Sequence, residues 1–286
     1  MLPFARPIDI VTGPKAAAYA REQDAKVLLA WMSRAGSLCP SGPWTKIARL
    51  GGYYDLKYYR RMDRLVANTR DIADYLVREG WPADKVHYIP NFATADEHPA
   101  LPRAALDTPE DVPLFLAMGR LHSDKAHDIT LRALAQIPGA WLWLAGNGPL
   151  DAKLKQMAEK LGLADRVRFL GWREDAGALY RAADVCLFPS RIEPLGNVVI
   201  QAWAHGTPII VAASKGPAAL VNHGEDGLMV PLEDADGLAR EAKRLIADAP
   251  LRARLREAGF ARIRDEFSEA AVVQHWFELF AACGAL

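Results

Sequence analysis

Cysteine is scarce in this 286-residue chain, and its three cysteines lie far apart, at Cys39, Cys186 and Cys283. No two of them form a CxxC pair, the spacing that zinc sites and redox motifs use. Because disulfide-stabilised scaffolds need many closely spaced cysteines, the sequence excludes that class of protein. We therefore expect a reducing compartment and no metal site.

Long apolar runs are also missing, since no stretch approaches the roughly 20 residues that span a bilayer. The beginning of the chain, MLPFARPIDIVTGPK, contains prolines and an early charge, which is not the pattern of a secretory signal. Together these features predict a cytoplasmic protein, which could still bind peripherally to the inner face of the membrane.

Net charge is absent as well, because 35 Lys and Arg balance 35 Asp and Glu, so nothing indicates a nucleic-acid partner. The charge is unevenly spread, however, with 14 basic and 9 acidic residues in positions 1–95. This surplus could face an anionic acceptor or membrane headgroups, or it could be an ordinary solvated surface.

What the sequence does contain, from residue 112 onward, is a regular alternation of short apolar strands and helical stretches. Near-continuous apolar strands separated by helices predict an α/β fold with a parallel sheet covered on both faces. Ligands of such sheets bind at the carboxyl ends of the strands. The predicted strands are PLFLAMG (113–119), AWLWLAG (140–146), RVRFLG (166–171), VCLFPS (185–190), PIIVAA (208–213) and LMVP (228–231).

The chain before this region predicts a second unit of the same kind. Its expected strands are KVLLA (26–30), KIARLGG (46–52), RLVANT (64–69) and VHYIP (86–90). We expect a partial N-terminal domain at 1–95, an interdomain linker rich in Pro, Ala and acids at 96–112, and a C-terminal domain at 113–267. Residues 268–286 predict a final helix that could cross back to the first domain.

Two cations follow the strand PLFLAMG, Arg120 and Lys125, in a loop that precedes a helix. Arginine offers a planar fork of donors and lysine a compact point charge, which suits an anionic ligand such as a diphosphate. Two surface cations in a loop are also common in proteins without any such ligand.

The next two junctions carry weaker signals. GNGPLD after the following strand gives G-x-G-x-x-D, so Gly148 indicates a tight turn and not a nicotinamide fingerprint. Trp172 and Arg173 follow RVRFLG, and the pair could border a nucleobase, although Trp172 could equally pack in the core.

The segment EPLGNVVIQ, from Glu193 to Gln201, carries the strongest signal. Gly196 allows a close backbone approach, and the amides from Leu195 to Val198, with Asn197 among them, are expected to be free at the start of a helix. Such amides form an anion site that the helix dipole reinforces. Glu193 would accept hydrogen bonds from hydroxyls, and Gln201 lies one turn beyond Asn197 on the same face.

In their order along the chain, GRLxxxK, AGxGP, FLGW and PSxxEPLGNVVIQAWAxGTPIIVA resemble the nucleotide-sugar-binding half of the family-4 retaining glycosyltransferases. The match covers about 110 residues and continues through GEDGLMVPLEDADGLA. The similarity is closest to bacterial members that build lipopolysaccharide core or other surface glycans.

This resemblance implies a GT-B fold, in which two Rossmann-like domains with parallel sheets flank the active site and the N-terminal one forms the acceptor side. It implies neither cofactor nor metal. Arg120 and Lys125 would neutralise the donor diphosphate, and Glu193 would bind the donor sugar. Leu195, Gly196, Asn197 and Val198 would contact sugar and phosphate. Arg173 and Gly148 would line the rest of the donor site.

Two features depart from the family pattern. The N-terminal domain lacks the strand and glycine-rich loop with which the family usually begins, so we expect it to be incomplete, and Trp31 lies where many members have a histidine. Gln201 replaces the acid that usually binds both ribose hydroxyls. Because a charged hydrogen-bond acceptor is lost, we expect the affinity for the nucleotide-sugar donor to be weaker by about 1–2 kcal/mol, or some tenfold.

The expected function is transfer of a sugar, with retention, from a nucleotide-diphosphate donor to a glycan or lipid-linked acceptor. The alternative is a truncated, weakly active or inactive remnant that binds only nucleotide or a partner. A sugar-nucleotide epimerase on the same fold also stays open, whereas the broken glycine pattern disfavours a nicotinamide-dependent dehydrogenase.

Overall fold

The computed structural model describes residues 11–95 and 99–286, which form two compact units. The first contains the described residues up to Asn91 together with Ala270–Leu286, and the second is Phe92–Glu269. Each unit has one sheet, and all strands in both sheets are parallel. The predicted α/β class with two parallel sheets is therefore confirmed.

In chain order, the strands are β1 (Val27–Trp31), β2 (Thr45–Leu50), β3 (Arg64–Ala67), β4 (Val86–Tyr88), β5 (Leu114–Met118), β6 (Trp141–Ala145), β7 (Val167–Gly171), β8 (Val185–Phe188), β9 (Ile209–Ala212) and β10 (Leu228–Val230). The α-helices are α1 (Thr12–Glu22), α2 (Met32–Leu38), α3 (Arg70–Arg78), α4 (His127–Ala135), α5 (Asp151–Lys160), α6 (Ala176–Ala182), α7 (Asn197–Ala204), α8 (Lys215–Leu220), α9 (Ala235–Ala247), α10 (Ala249–Arg262) and α11 (Glu269–Ala282).

The sheet of the first unit has the order β1-β2-β3-β4 and two buried faces. Side chains alternate between the faces along each strand. Leu50 and Leu65 pack on one face with Ile72 of α3. On the other face, Ile47 and Val66 pack against α11, which explains why the last helix belongs to this unit.

The sheet of the second unit has the order β10-β9-β8-β5-β6-β7. Counted from β5 as the first strand, this is the order 3-2-1-4-5-6 of dinucleotide-binding folds. The direction in which the chain adds strands reverses between β5 and β8, which are neighbours. The loops after these two strands therefore leave in opposite directions, and a crevice for a ligand lies between them.

Continuous burial explains why these strands read as unbroken apolar runs. Phe115 and Ala117 of β5 face one core cluster, while Leu114 and Leu116 face the other. Because helices cover both faces, neither face needs polar residues.

The predicted linker 96–112 falls partly outside the described residues, at 96–98. Its remainder packs on the second unit, where Leu101 and Leu106 contact a core cluster. Arg103 donates to the carbonyls of Val112 and Ala182 at 2.7 and 2.9 Å, which ties this segment to the amino ends of the strands. In the described ranges, no helix is both long and apolar enough to traverse a bilayer.

The turn after β6 packs directly against the loop after β5. Gly146 has φ +140°, and a Cβ there would overlap the carbonyl oxygen of Gly119. The amide of Gly119 donates to Ala145 at 3.0 Å, which holds the two loops together. A glycine is therefore required at position 146 for both its conformation and the close approach.

We expect Gly146→Ala to reduce the free energy of unfolding by about 3 kcal/mol or more, since a backbone clash adds to backbone strain. The matched control is Gly139→Ala, which has φ +77° but open space around a Cβ and should cost only about 1–2 kcal/mol. Urea unfolding of both variants measures the difference. Equal losses would show that the contact with Gly119 is not the constraint.

Candidate active site

The loops that follow β5 and β8 bring two predicted site residues together. Nζ of Lys125 lies 2.5 Å from Oε2 of Glu193, although the residues are 68 positions apart. Their side chains are only 21% and 12% exposed. The pair thus lies at the point where the strand order reverses, where parallel sheets bind ligands.

The loop after β5 has a defined backbone that presents Lys125. A short 3-10 turn, Ser123–Lys125, ends at Ala126 in the left-handed conformation with φ +52°, and α4 begins at the next residue. The amine of Lys125 also lies 5.6 Å from the ring centre of Phe188, at the end of β8. The aromatic face and the carboxylate together stabilise the cation.

Glu193 uses both of its carboxylate oxygens. Oε1 accepts hydrogen bonds from the amides of Leu195 and Gly196, at 3.4 and 3.2 Å, while Oε2 faces Lys125. The expectation that every amide from Leu195 to Val198 is free was wrong. Gly196 is left-handed, with φ +95°, so α7 begins only at Asn197 and the two preceding amides turn back to Glu193.

Gln201 lies one turn into α7 and is exposed. Its Oε1 accepts a hydrogen bond from the hydroxyl of Tyr180 at 3.4 Å. Tyr180 is fully buried and stacks on His205, and burial raises its pKa far above the usual range, so the hydroxyl keeps its proton. The single acceptor oxygen of Gln201 is therefore partly engaged already, while its NH₂ group can donate.

Trp172 and Arg173 follow β7. Trp172 is 74% exposed, so the alternative that it packs in the core was wrong. The guanidinium of Arg173 donates two hydrogen bonds to the carboxylate of Asp175, at 2.8 and 2.6 Å. A ligand at this edge would meet an exposed ring and a cation whose charge is already balanced.

Gly148 and Arg120 belong to adjoining turns. A Cβ on Gly148 would overlap the backbone of Leu121, whose amide donates to the carbonyl of Asn147 at 2.9 Å. The glycine therefore lets the turn pack against the loop that carries Arg120. Arg120 itself is exposed, and no described carboxylate forms an ion pair with it, which leaves its charge available to an anion.

Arg191 is a residue that the sequence reasoning missed. Its guanidinium makes two 2.8 Å hydrogen bonds to Asp128, on α4, and also pairs with Glu233. The guanidinium also donates to the carbonyl of Ser123 at 2.8 Å, and the backbone amide of Arg191 donates to the carbonyl of Asp124 at 2.8 Å. Arg191 thus joins the loop of Glu193 to the loop of Lys125.

The contact with Arg191 changes the pKa of the Asp128 carboxylate. Burial would raise its pKa, but hydrogen bonds and the charge of Arg191 outweigh burial and lower the pKa below its usual value. Asp128 therefore stays ionised and holds the guanidinium. No sequence pattern indicates this bridge, because Arg191 and Asp128 are 63 positions apart and meet only in the folded protein.

The site lies in a part of the chain that matches a known protein family. Residues 102–262 match the family described as glycosyl transferases group 1. The lipopolysaccharide core biosynthesis glycosyltransferase LpsE of Rhizobium meliloti (strain 1021) is 40% identical over 265 residues, covering 92% of this chain and 78% of the relative. The chain belongs to the glycosyl transferases group 1 family.

Two further comparisons agree with this assignment. The same organism's lipopolysaccharide core biosynthesis glycosyltransferase LpsD is 38% identical over 262 residues, covering 91% of this chain and 76% of the relative. The crystal structure of Anabaena Alr3699/HepE in complex with UDP superposes with a TM-score of 0.85 at 22% identity, over 94% of this chain and 82% of that one. The GT-B fold expected from the motifs is confirmed.

His127 is a buried ionisable residue beside the site of this group 1 transferase. It is 3% exposed at the start of α4 and lies against the backbone of Gly119 and Arg120. Burial is the largest cause that lowers its pKa, to about 4. The ring is therefore neutral in the folded protein at neutral pH.

A lowered histidine pKa makes the folded state less stable in acid. The unfolded chain takes up a proton near pH 6.5, while the folded one does so only near pH 4. Stability should fall through this window and then level off, by about 3 kcal/mol from His127. His127→Leu should flatten the pH dependence of urea unfolding between pH 7 and 4. His275→Gln, at an exposed position, should keep it, and an unchanged slope in His127→Leu would contradict this account.

Proposed function

We propose that this protein transfers a sugar, with retention of configuration, from a nucleotide-diphosphate donor to a glycan or lipid-linked acceptor, as family-4 enzymes do. The observation that carries the proposal is the contact between Lys125 and Glu193 between β5 and β8. A nucleotide sugar has a phosphate next to a sugar. Its site therefore needs a cation that neutralises the phosphate and, close by, an acid that accepts hydrogen bonds from the sugar hydroxyls.

The relatives support the pathway and the donor class. LpsE and LpsD are named as lipopolysaccharide core biosynthesis glycosyltransferases, which favours a role in lipopolysaccharide core assembly. The Anabaena structure contains UDP, which favours a uridine nucleotide as the first donor to test. Both relatives are named as glycosyltransferases and align over 92% and 91% of the chain, which favours a transferase over an inactive remnant.

In the proposed reaction, the bond between the sugar C1 and the diphosphate oxygen breaks, and a bond from C1 to an acceptor hydroxyl oxygen forms. Negative charge grows on the departing diphosphate. Arg120 and Lys125 stabilise this charge by electrostatic attraction, without a metal ion or another cofactor. The proton of the acceptor hydroxyl must also leave, and we assign no base to it.

Donor binding replaces the contact between Lys125 and Glu193. In the free protein, each group neutralises the other, so neither is buried as an unpaired charge. When the donor binds, its phosphate pairs with Lys125 and its sugar hydroxyls donate hydrogen bonds to Glu193. The loops need not move far for this exchange, because Arg191 holds them together.

The remaining donor contacts follow from position. Asn197 and Val198, in the first turn of α7, are placed for phosphate or sugar, and Leu195, Gly196 and Gly148 shape the backbone around them. Arg173 and the exposed Trp172 border the nucleobase in this proposal. Gln201 binds the ribose, with the amide in place of the family's usual acid. The protein works in the cytoplasm, where an acceptor linked to lipid would bring it to the membrane.

Lys125→Met should lower kcat/KM for sugar transfer about 10²–10³-fold, because a single group that stabilises developing charge contributes on that scale. Lys155→Met is the matched control, since Lys155 is an exposed lysine on α5 paired with Asp151. It should transfer sugar as the unchanged protein does. Initial rates with UDP-sugars and a lipopolysaccharide-core acceptor measure both. Equal rates in the two variants would remove Lys125 from the mechanism.

Gln201→Glu should increase the affinity for a ribonucleotide donor about tenfold, because a carboxylate accepts from two hydroxyls more strongly than one amide oxygen does. Isothermal titration calorimetry with UDP and with its 2′-deoxy analogue measures this. The gain should shrink with the deoxy analogue. If UDP and UDP-sugars neither bind nor stabilise the protein, and Gln201→Glu restores nothing, the proposed function is wrong.

A further inference from the structure

The first unit carries an aromatic and cationic pair at the carboxyl ends of its strands. Trp31 is the last residue of β1, and it lies opposite Arg49 of β2 in the sheet. The guanidinium carbon of Arg49 is 4.8 Å from the centre of the Trp31 ring. A cation over an indole face is a favourable contact that fixes both side chains.

Arg49 is an unusual residue for a protein interior. It is 8% exposed, and its guanidinium donates one hydrogen bond, at 2.5 Å, to Oδ1 of Asn91. Within residues 11–95 and 99–286 it forms no ion pair. Buried charges are normally paired because removing them from water is costly, and burial here lowers the pKa of Arg49. An arginine has five N–H donors, so most of this capacity finds no partner in the described part of the chain.

A second buried polar residue at this end of the sheet has an oxygen that is unsatisfied among the described residues. Asn68 directly follows β3 and is 4% exposed, and its Oδ1 has no hydrogen-bond partner among the described residues. Its Nδ2 lies against Gly51, which follows β2. Buried polar atoms are rarely left unsatisfied. An acceptor oxygen and a cation on neighbouring strands suit a ligand that carries both a hydroxyl and a negative charge.

The backbone beside Trp31 is strained. Met32 has φ +67°, in the left-handed region that residues other than glycine seldom adopt. Trp31 and Met32 are also 54% and 59% exposed, although both are large and apolar. Strained residues and exposed aromatic rings are frequent at ligand-binding sites. The indole can pack against the apolar C–H face of a sugar ring.

The geometry points to selection for a negatively charged acceptor in the first unit, namely a sugar that carries a carboxylate or a phosphate. Arg49 binds the anionic group, Asn68 accepts from a hydroxyl, and Trp31 packs against the ring. The identification as an acceptor site rests on the proposed function, whereas the binding of an anionic sugar does not. The basic surplus of residues 1–95, 14 against 9, favours an anion over a neutral sugar.

The first test is calorimetry of the full chain with glucuronate, glucose 6-phosphate and glucose. We expect one or both anionic sugars to bind at least tenfold more tightly than glucose, and the tighter one identifies the anionic group. Inorganic phosphate should compete with either. Equal binding of glucose, or no binding of any anionic sugar, overturns the proposal.

Variants then separate the roles of the side chains. Arg49→Gln should weaken anionic-sugar binding at least tenfold, and Arg49→Lys should restore only part of it, because a point charge lacks the planar fork. Trp31→Ala should weaken sugar binding more than it weakens binding of inorganic phosphate, because the phosphate has no ring for the indole to contact. The control Arg78→Gln, at an exposed position of α3, should bind as the unchanged protein does. The same loss in the control overturns the site.

A structural role for Arg49 predicts a different result. If the residue only stabilises the fold, Arg49→Met lowers the unfolding temperature without ligand. If it serves an absent anion, the temperature is not lowered, because an unpaired buried charge has been removed. UDP binding should be unaffected in every variant. If UDP fails to bind while anionic sugars bind, the proposed function fails and this site remains.

Discussion

The arrangement of the second unit depends on the reversal of strand order between β5 and β8. Two neighbouring parallel strands there send their loops to opposite sides, which opens a crevice that the sheet cannot fill. Groups from both loops can therefore reach one another without a helix between them. The contact of Lys125 with Glu193 follows from this topology.

Such an ion pair contributes little net stability, because the cost of removing two charges from water offsets their attraction. Its placement makes better sense as preparation for a ligand. Each group holds the other in place, and both side chains are only partly exposed to water. Arg191 adds a second connection between the loops, and its partners Asp128 and Glu233 lie outside the pair. The geometry of the site is thus held by residues outside the Lys125–Glu193 pair.

Sequence patterns predicted the architecture well, for a physical reason. Strands buried on both faces must be apolar throughout, and all ten predicted strands are found in the described residues. PLFLAMG, for example, becomes β5, of which only the final Met118 is partly exposed. The resemblance implied that Lys125 and Glu193 serve one donor, whereas no sequence pattern predicted their direct ion pair.

The details that depend on backbone conformation could not be predicted in the same way. Gly196 adopts a left-handed conformation, which moves the start of α7 to Asn197 and turns two amides toward Glu193. The bridge made by Arg191 and the contact of Gln201 with Tyr180 join residues from different elements. No spacing along the chain reveals contacts of that kind, because they arise only when the elements pack.

Lys125 in the second unit and Arg49 in the first unit have different partners, and the difference affects which ligand each cation can bind. Lys125 has a carboxylate partner in the free protein, so binding an anion there requires that the partner find new hydrogen bonds, which sugar hydroxyls can supply. Arg49 has an amide oxygen and an aromatic face instead. Neither carries a negative charge, so an anion at Arg49 displaces no carboxylate and relieves the cost of an unpaired buried charge. A site of the first kind selects a ligand that has hydroxyls next to its phosphate, while a site of the second kind selects for negative charge itself.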